Sequence, residues 1–339
     1  MSDRKVRLAL PSKGALGKLT MDLLANIGLK VNRPNDRQYV ATIPAVPELE
    51  VLFQRAADIF VKVHEGSADL GVTGYDVVSE DDRGDGTVIT AYETLGYGKC
   101  EVVLGIPNSW IDVTTIEDLA ELTLLWKAQG KPLRIVTKYK NLTKKLLFDK
   151  NITNFVLVDA NGALEAAPSM GYADMISDVT STGTTLRENN LKQLAGGKIL
   201  KSQACLIANR TALKSPVALE ITQQILERIE ANQEAKKYTS ITANVRAGSM
   251  DEVGALLTNG GQLHELTGMR GPTISKVYTH GQGNGDWYAV TVVVNQEHLF
   301  QAVQHLRRVE GQDITVSPPR YVFGPTSKSA EALLLQLSS

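Results

Sequence analysis

The sequence predicts an α/β chain that ends in a smaller ferredoxin-like unit. Three observations predict it. Apolar strand-like runs lead into glycine turns and then helical spacing, as in "ADLGVTGYDVVSE" (68–80), the pattern of a parallel α/β sheet. Such units recur until the long helical stretch at 215–238. The last third then runs strand, helix, hairpin, helix, strand, which is the β-α-β-β-α-β order.

The elements follow in order. "VRLAL" (6–10) is a short strand. Leu16, Leu19, Leu23 and Ile27 share a helical face over 15–28, and Gly28 is placed to end that helix. "ELEVLFQ" (48–54) reads as a strand and 59–66 as a short helix. "CEVVLGIP" (100–107) opens a second set. In "TTIEDLAEL" (114–122), Thr114 and Glu117 have the spacing of a capping box. A strand (133–139), a helix (141–151), a strand (155–162), a short helix or turn (163–172) and a strand (173–179) come next. Residues 196–210 return as strands, and 215–238 is the clearest helix, with Pro216 in its first turn. The final unit places strands at 238–247, 273–280, 287–295 and 313–323, with helices at 250–261 and 296–311. Residues 324–339 read as a tail or short terminal helix.

Composition narrows the function. The chain has 339 residues, 43% hydrophobic and 22% charged, which suits two or three globular domains. A formal net charge of −1 gives no global field for nucleic acid or an anionic membrane, so any phosphate binding must be local. Two cysteines, Cys100 and Cys205, make no CxxC pair, and a reduced cytoplasmic setting is expected. The five histidines lack paired spacing, which argues against a protein-built zinc site. No run approaches the ~20 apolar residues of a membrane span. The run at 6–10 is too short for a signal peptide.

The stretch "ISDVTSTGTTL" (176–186) carries the chemistry. A strand delivers Thr180, Ser181, Thr182, Gly183, Thr184 and Thr185, and a helix begins after them. Backbone N–H groups at a helix start lack internal partners. Gly183 lets the chain close tightly, and the hydroxyls add donors. Together they make a cup for a phosphate monoester. A serine- and threonine-rich helix cap has the same composition, but the density of hydroxyls favours phosphate. Asp178, two residues before the cup, is placed to accept hydrogen bonds from sugar hydroxyls. The arrangement resembles the general phosphoribosyl-diphosphate motif, although Ser177 stands where a first acid is common.

Over nearly its whole length the chain resembles the long-form ATP phosphoribosyltransferase family. The resemblance rests on "LALPSKGALG", "DLGVTGYDVV", "LTGMRGPTISKVY" and, most specifically, "GALEAAPSMGYADMISDVTSTGTTLRENNL". It implies two catalytic lobes like periplasmic binding proteins, at 1–104 with 196–225 and at 105–195. It also implies an ACT-like regulatory domain at 226–339. The implied reaction joins ATP and phosphoribosyl diphosphate, with Mg²⁺, in the first step of histidine biosynthesis. Histidine is the implied effector, and a homo-oligomer, a dimer or a hexamer built from dimers, is the implied assembly.

Residue by residue, the resemblance implies Lys13, Asp178 and Glu165 as catalytic and 180–185 as the phosphoribosyl-diphosphate cup. It implies Lys13, Gly14, Thr73, Gly74, Tyr97 and Lys99 on ATP, and Leu266, Thr267, Gly268 and Thr273 at histidine. Ala15 stands where many relatives carry an arginine, so one cationic contact must come from elsewhere. Mg²⁺ is expected to sit mainly on substrate phosphates. A non-enzymatic binding protein, or a phosphoribosyltransferase for another base, are the competing readings.

Overall fold

The computed structural model describes residues 4–35, 37–159, 164–258, 269–278 and 286–338. The chain divides into two compact units. One holds the residues up to Thr222 and those from Leu333; the other holds Gln223–Ala332.

The first unit contains two sheets. Strands β1 (Val6–Pro11), β2 (Val40–Thr42), β3 (Leu49–Gln54), β4 (Leu70–Gly74) and β5 (Val88–Tyr92) begin the first. Strands β6 (Cys100–Pro107), β7 (Leu133–Thr137), β8 (Phe155–Val158), β9 (Met175–Thr180) and β10 (Leu191–Ser202) make the second. Strand β11 (Ala204–Asn209) then returns the chain to the first sheet, whose order is β2-β3-β1-β4-β11-β5. The second sheet runs β10-β6-β9-β7-β8.

The parallel sheet expected from the strand–turn–helix units is instead mixed. β1 runs parallel to β3 and β4, but β11 enters antiparallel between β4 and β5. The reason is the path: β10 and β11 are separated by one residue, so the chain re-enters the first sheet directly from an edge strand of the second, without a crossover helix. β2 and β5, at the two sheet edges, were not expected from the sequence.

Helices α1 (Gly14–Asn26), α2 (Ala56–His64) and α3 (Tyr75–Asp81) belong with the first sheet's strands, and α4 (Ile116–Ala128), α5 (Lys140–Asp149), α6 (Ala167–Met170) and α7 (Thr184–Glu188) with the second's. Helix α1 buries Thr20, Leu23 and Leu24 and leaves Leu19 on the surface, so its buried stripe is rotated from the expected one. The capping box of α4 lies one residue later than its spacing suggested. Thr115 is the N-cap, and the Asp118 carboxylate accepts from the N–H groups of Thr114 and Thr115 and from the Thr114 hydroxyl. One acid thereby satisfies three donors that Glu117 could not.

Helix α8 (Pro216–Ala235) leads into the second unit. There β12 (Tyr238–Ala247), α9 (Met250–Thr258), β13 (Thr273–Lys276), β14 (Asp286–Asn295), α10 (Leu299–Arg308) and β15 (Gln312–Ser317) give the expected β-α-β-β-α-β order. The sheet order β13-β14-β12-β15, antiparallel throughout, is that of a ferredoxin-like fold. Its core is Ile241, Val245, Leu257, Val290, Val292 and Leu306, all 0–1% exposed. Helix α11 (Lys328–Ser338) closes the described chain.

Candidate active site

β9 carries the hydroxyl cluster to the edge of the second sheet's carboxyl end. Gly183 is the N-cap of α7 at φ +70°, a left-handed conformation that side-chain-bearing residues resist. Its N–H donates to Thr180 Oγ1 at 3.0 Å, which folds the loop into a cup. The Thr182 and Thr184 hydroxyls meet at 2.9 Å. Among the described residues, the N–H groups of exposed Ser181, Thr182 and Thr185 have no acceptor. Helix α7 has only five residues, so the donors of the cup matter more than any macrodipole. Arg187 Nη2 donates to Thr184 Oγ1 at 3.2 Å, bringing a guanidinium to the rim. The sequence had not singled out Arg187; its position one turn past the glycine was the available signal.

Ser177 and Asp178, just upstream of the cup, point to opposite sides of β9. Ser177 is fully buried, and its Oγ accepts the Thr143 hydroxyl at 2.8 Å. A first acid at this position would be a buried charge. Asp178 faces the other way and is half-buried. Burial pushes its carboxyl above the usual range; the Val179 N–H and Lys138 pull it down, and the charges of Glu165 and Asp76 push it up again. Glu165, on a 3₁₀ turn at Leu164–Ala166, therefore acts at the same corner as Asp178.

The residues expected on the nucleotide lie on the strands and turns of the first sheet and on the segment before β6. Lys13 is the exposed N-cap of α1, directly after β1, and Gly14 beside it is exposed as well. Thr73 is fully buried with its hydroxyl donating to Ala56 O at 2.8 Å, so its side chain does not face a ligand. A Cβ on Gly74 would lie 2.2 Å from Asp76 Oδ1, so this glycine makes room for a carboxylate of its own chain. The Tyr97 hydroxyl shares a hydrogen bond with Thr20 Oγ1 at 2.9 Å, and burial pushes its phenol up to about 12. Lys99 and Ser181 line a single cleft of about 500 Å³ together with Tyr75, Glu93, Lys201 and Ser202. The side chains of Lys99 and Lys201 make no hydrogen bond or ion pair among the described residues.

Beneath the cleft lies a polar cluster that the sequence did not reveal. Asp76, 7% exposed, accepts hydroxyls from Tyr139 and Ser202, each at 2.6 Å. Burial, then the Asp76 charge and the bond to it, push the Tyr139 phenol far up, so it stays a donor. With both Asp76 oxygens occupied, Asp178 and Glu165 beside the cup and Glu93 in the cleft are acids left to face a ligand. No group of three or more acids, histidines or cysteines among the described residues could hold a metal ion alone. The donor set fits a cation that is also held by substrate phosphates.

Of the residues expected at the effector, Leu266, Thr267 and Gly268 lie outside the described residues. Thr273 is exposed at the start of β13, opposite Thr291.

Residues 55–231 match the family model described as ATP phosphoribosyltransferase. The chain belongs to the ATP phosphoribosyltransferase family. Residues 235–320 match a second model, the HisG C-terminal domain, as the long-form resemblance implied. The chain is 40% identical to ATP phosphoribosyltransferase 2, chloroplastic, of Arabidopsis thaliana over 338 residues, 98% of this chain and 81% of that protein. It is 37% identical over 302 residues to an ATP phosphoribosyltransferase of Bradyrhizobium diazoefficiens, covering 87% and 90% of the two chains. A solved ATP phosphoribosyl transferase (HisG:HisZ) complex from Thermotoga maritima aligns at a TM-score of 0.52 and 24% identity, covering 66% of this chain and 98% of that one. That likeness supports the fold. No helix among the described residues is long and apolar enough to cross a membrane.

Proposed function

We propose that this chain transfers the phosphoribosyl group of phosphoribosyl diphosphate to N1 of the ATP adenine and releases diphosphate, opening histidine biosynthesis. The observation that carries the reading is the Thr180–Thr185 cup, with Asp178 behind it and Arg187 at its rim.

The chemistry follows from charge. The bond from adenine N1 to the ribose C1 forms as the bond from C1 to the diphosphate oxygen breaks. N1 is a neutral lone pair near pH 7, so no strong general base is needed. The sugar becomes positive and the diphosphate leaves negative, and fixed charges and donors stabilise both. The cup and Arg187 hold the 5′-phosphate. Asp178 and Glu165 accept the ribose hydroxyls and face the developing positive charge. Lys13 and Lys99 face the polyphosphates. Asp178 and Glu165 are the protein oxygens that would hold a Mg²⁺ bound with the substrate phosphates, where it would neutralise part of their charge. Holding two substrates across one cleft supplies much of the rate. A cytoplasmic homo-oligomer, inhibited by histidine at the C-terminal unit, completes the proposal.

The test is direct. Purified protein with ATP, phosphoribosyl diphosphate and Mg²⁺ should generate the absorbance of phosphoribosyl-ATP and release diphosphate. Binding of both ligands with no product would favour a non-enzymatic binding protein. Product from another base, and none from ATP, would reassign the acceptor.

A further inference from the structure

Helix α3 leaves β4 directly after Gly74 and carries two carboxylates one turn apart. Both are nearly buried, Asp76 at 7% and Glu80 at 8% exposed. A buried carboxylate is unfavourable unless each oxygen is paired. Here the donors come from residues far along the chain. Asp76 takes the Tyr139 and Ser202 hydroxyls at 2.6 Å, and its own N–H donates to Ser202 Oγ at 2.9 Å. Glu80 Oε1 accepts the Asn141 N–H at 2.8 Å and Oε2 accepts the Leu142 N–H at 3.0 Å. Asn141 Nδ2 also donates to the Glu80 carbonyl at 2.9 Å. Glu80 therefore satisfies the first N–H groups of α5, whose own N-cap, Tyr139, has no side-chain cap.

These contacts join helix α3, which begins directly at the end of β4, to the short turn and the start of α5 after β7, where Thr137 pairs with Ser177 next to Asp178. Gly74 belongs to the same device, because a Cβ there would strike the Asp76 carboxylate. The short, charge-assisted bonds are directional, so they fix a distance and an angle as apolar contact would not.

We propose that Asp76 and Glu80 form a latch that holds α3, at the end of β4, against the turn and helix start after β7, and so sets the spacing between the nucleotide side and the phosphoribosyl side of the cleft. The proposal rests on the transfer reaction above. Both are positioning residues, acting through Tyr139 and the start of α5. A displacement of about 1 Å between reacting groups costs roughly 100-fold in rate, so a loosened latch should lower turnover more than it lowers the affinity of either substrate alone.

The experiment uses the full chain with Tyr139→Phe and, separately, Glu80→Gln. Four quantities are read: melting temperature, calorimetric Kd for each substrate alone, kcat with both saturating, and hydrogen exchange at the Asn141 and Leu142 amides. The expected result is a 10- to 100-fold lower kcat in each variant, with binary Kd values within about threefold of the parent. Glu80→Gln should also speed exchange at the two amides. Unchanged kcat despite faster exchange would overturn the proposal. So would a fall in binary affinity equal to the fall in kcat. If Tyr139→Phe fails to fold, Glu80→Gln decides alone. If the parent makes no phosphoribosyl-ATP, the transfer reading fails on its own. Exchange at Asn141 and Leu142 then still decides whether Glu80 holds α5, and unchanged exchange would remove the latch.

Discussion

Asp178 is held in a setting that favours its protonated form, because it is half-buried and faces two other acids. The sign follows. Its native pKa lies above the unfolded value of about 3.9, so ionisation destabilises the fold as pH rises from that value through the native one. Above both values the stability contributed by the protonated group is absent. Asp178→Asn should therefore raise the melting temperature at pH 7 while lowering kcat/KM for phosphoribosyl diphosphate by 10- to 100-fold, about 1.5–3 kcal/mol for a charged hydrogen bond. Thermal denaturation and steady-state kinetics on one preparation check both halves. A lower melting temperature would show that the carboxylate stabilises the fold. Gly183 gives a second prediction. Its φ of +70° disfavours a β-branched side chain by about 1–2 kcal/mol, so Gly183→Val should weaken phosphoribosyl diphosphate binding by about tenfold and ATP binding far less. Equal effects in calorimetry would contradict the cup assignment. The cup was legible in the sequence because its hydroxyls and glycine are contiguous. The Asp76 cluster was not, because its partners lie 63 and 126 residues away. The burial of the Thr73 hydroxyl depends on α2, which the local sequence does not report.

The secondary-structure elements show the same division. Helices with strong periodicity and strands with long apolar runs were legible. β2 was not, since three residues carry too little pattern, and β5 gains its place only by pairing with β11 from the far end of the unit. The capping box slipped by one because "TTIED" offers two overlapping matches, and only the geometry of Asp118 separates them. The terminal helix supplies a prediction at this level. Glu230, on α8, accepts from Ser327 and Ser329 hydroxyls at 2.8 Å and from the Ser329 and Lys328 N–H groups at 3.1 and 3.3 Å. Partial burial pushes its carboxyl up, but these four bonds outweigh it and hold the group below the usual range. A depressed carboxyl stabilises above its unfolded value of about 4.3 and loses that contribution as pH falls through the native value. Glu230→Ala should then cost about 1 kcal/mol, like loss of a helix cap, and expose the amides of 330–338 to exchange at neutral pH. The parent should show the same fraying only in acid. Protection that is independent of both pH and residue 230 would remove Glu230 from this role.

The two units differ in what they can do alone. The core of the C-terminal sheet is drawn entirely from residues 241–314. The cup, the cleft, the acids and the latch all lie before residue 204. The groups proposed for catalysis and the expected effector loop are therefore carried by segments with separate cores, an arrangement in which one can be removed without dismantling the other. Truncation after Lys237 keeps α8 whole and removes the second unit's sheet, together with the terminal residues from Leu333 that group with the first unit. The shortened chain should retain part of its phosphoribosyl-ATP formation and lose inhibition by histidine, because inhibition requires a ligand that distinguishes two states of the whole chain. Initial rates with and without histidine, on the parent and the truncated chain side by side, measure both. Inhibition that survives the truncation would place the effector among residues 4–237 and move regulation into the catalytic unit itself. Complete loss of activity in a chain that still melts cooperatively would mean that the second unit contributes to turnover and not only to control.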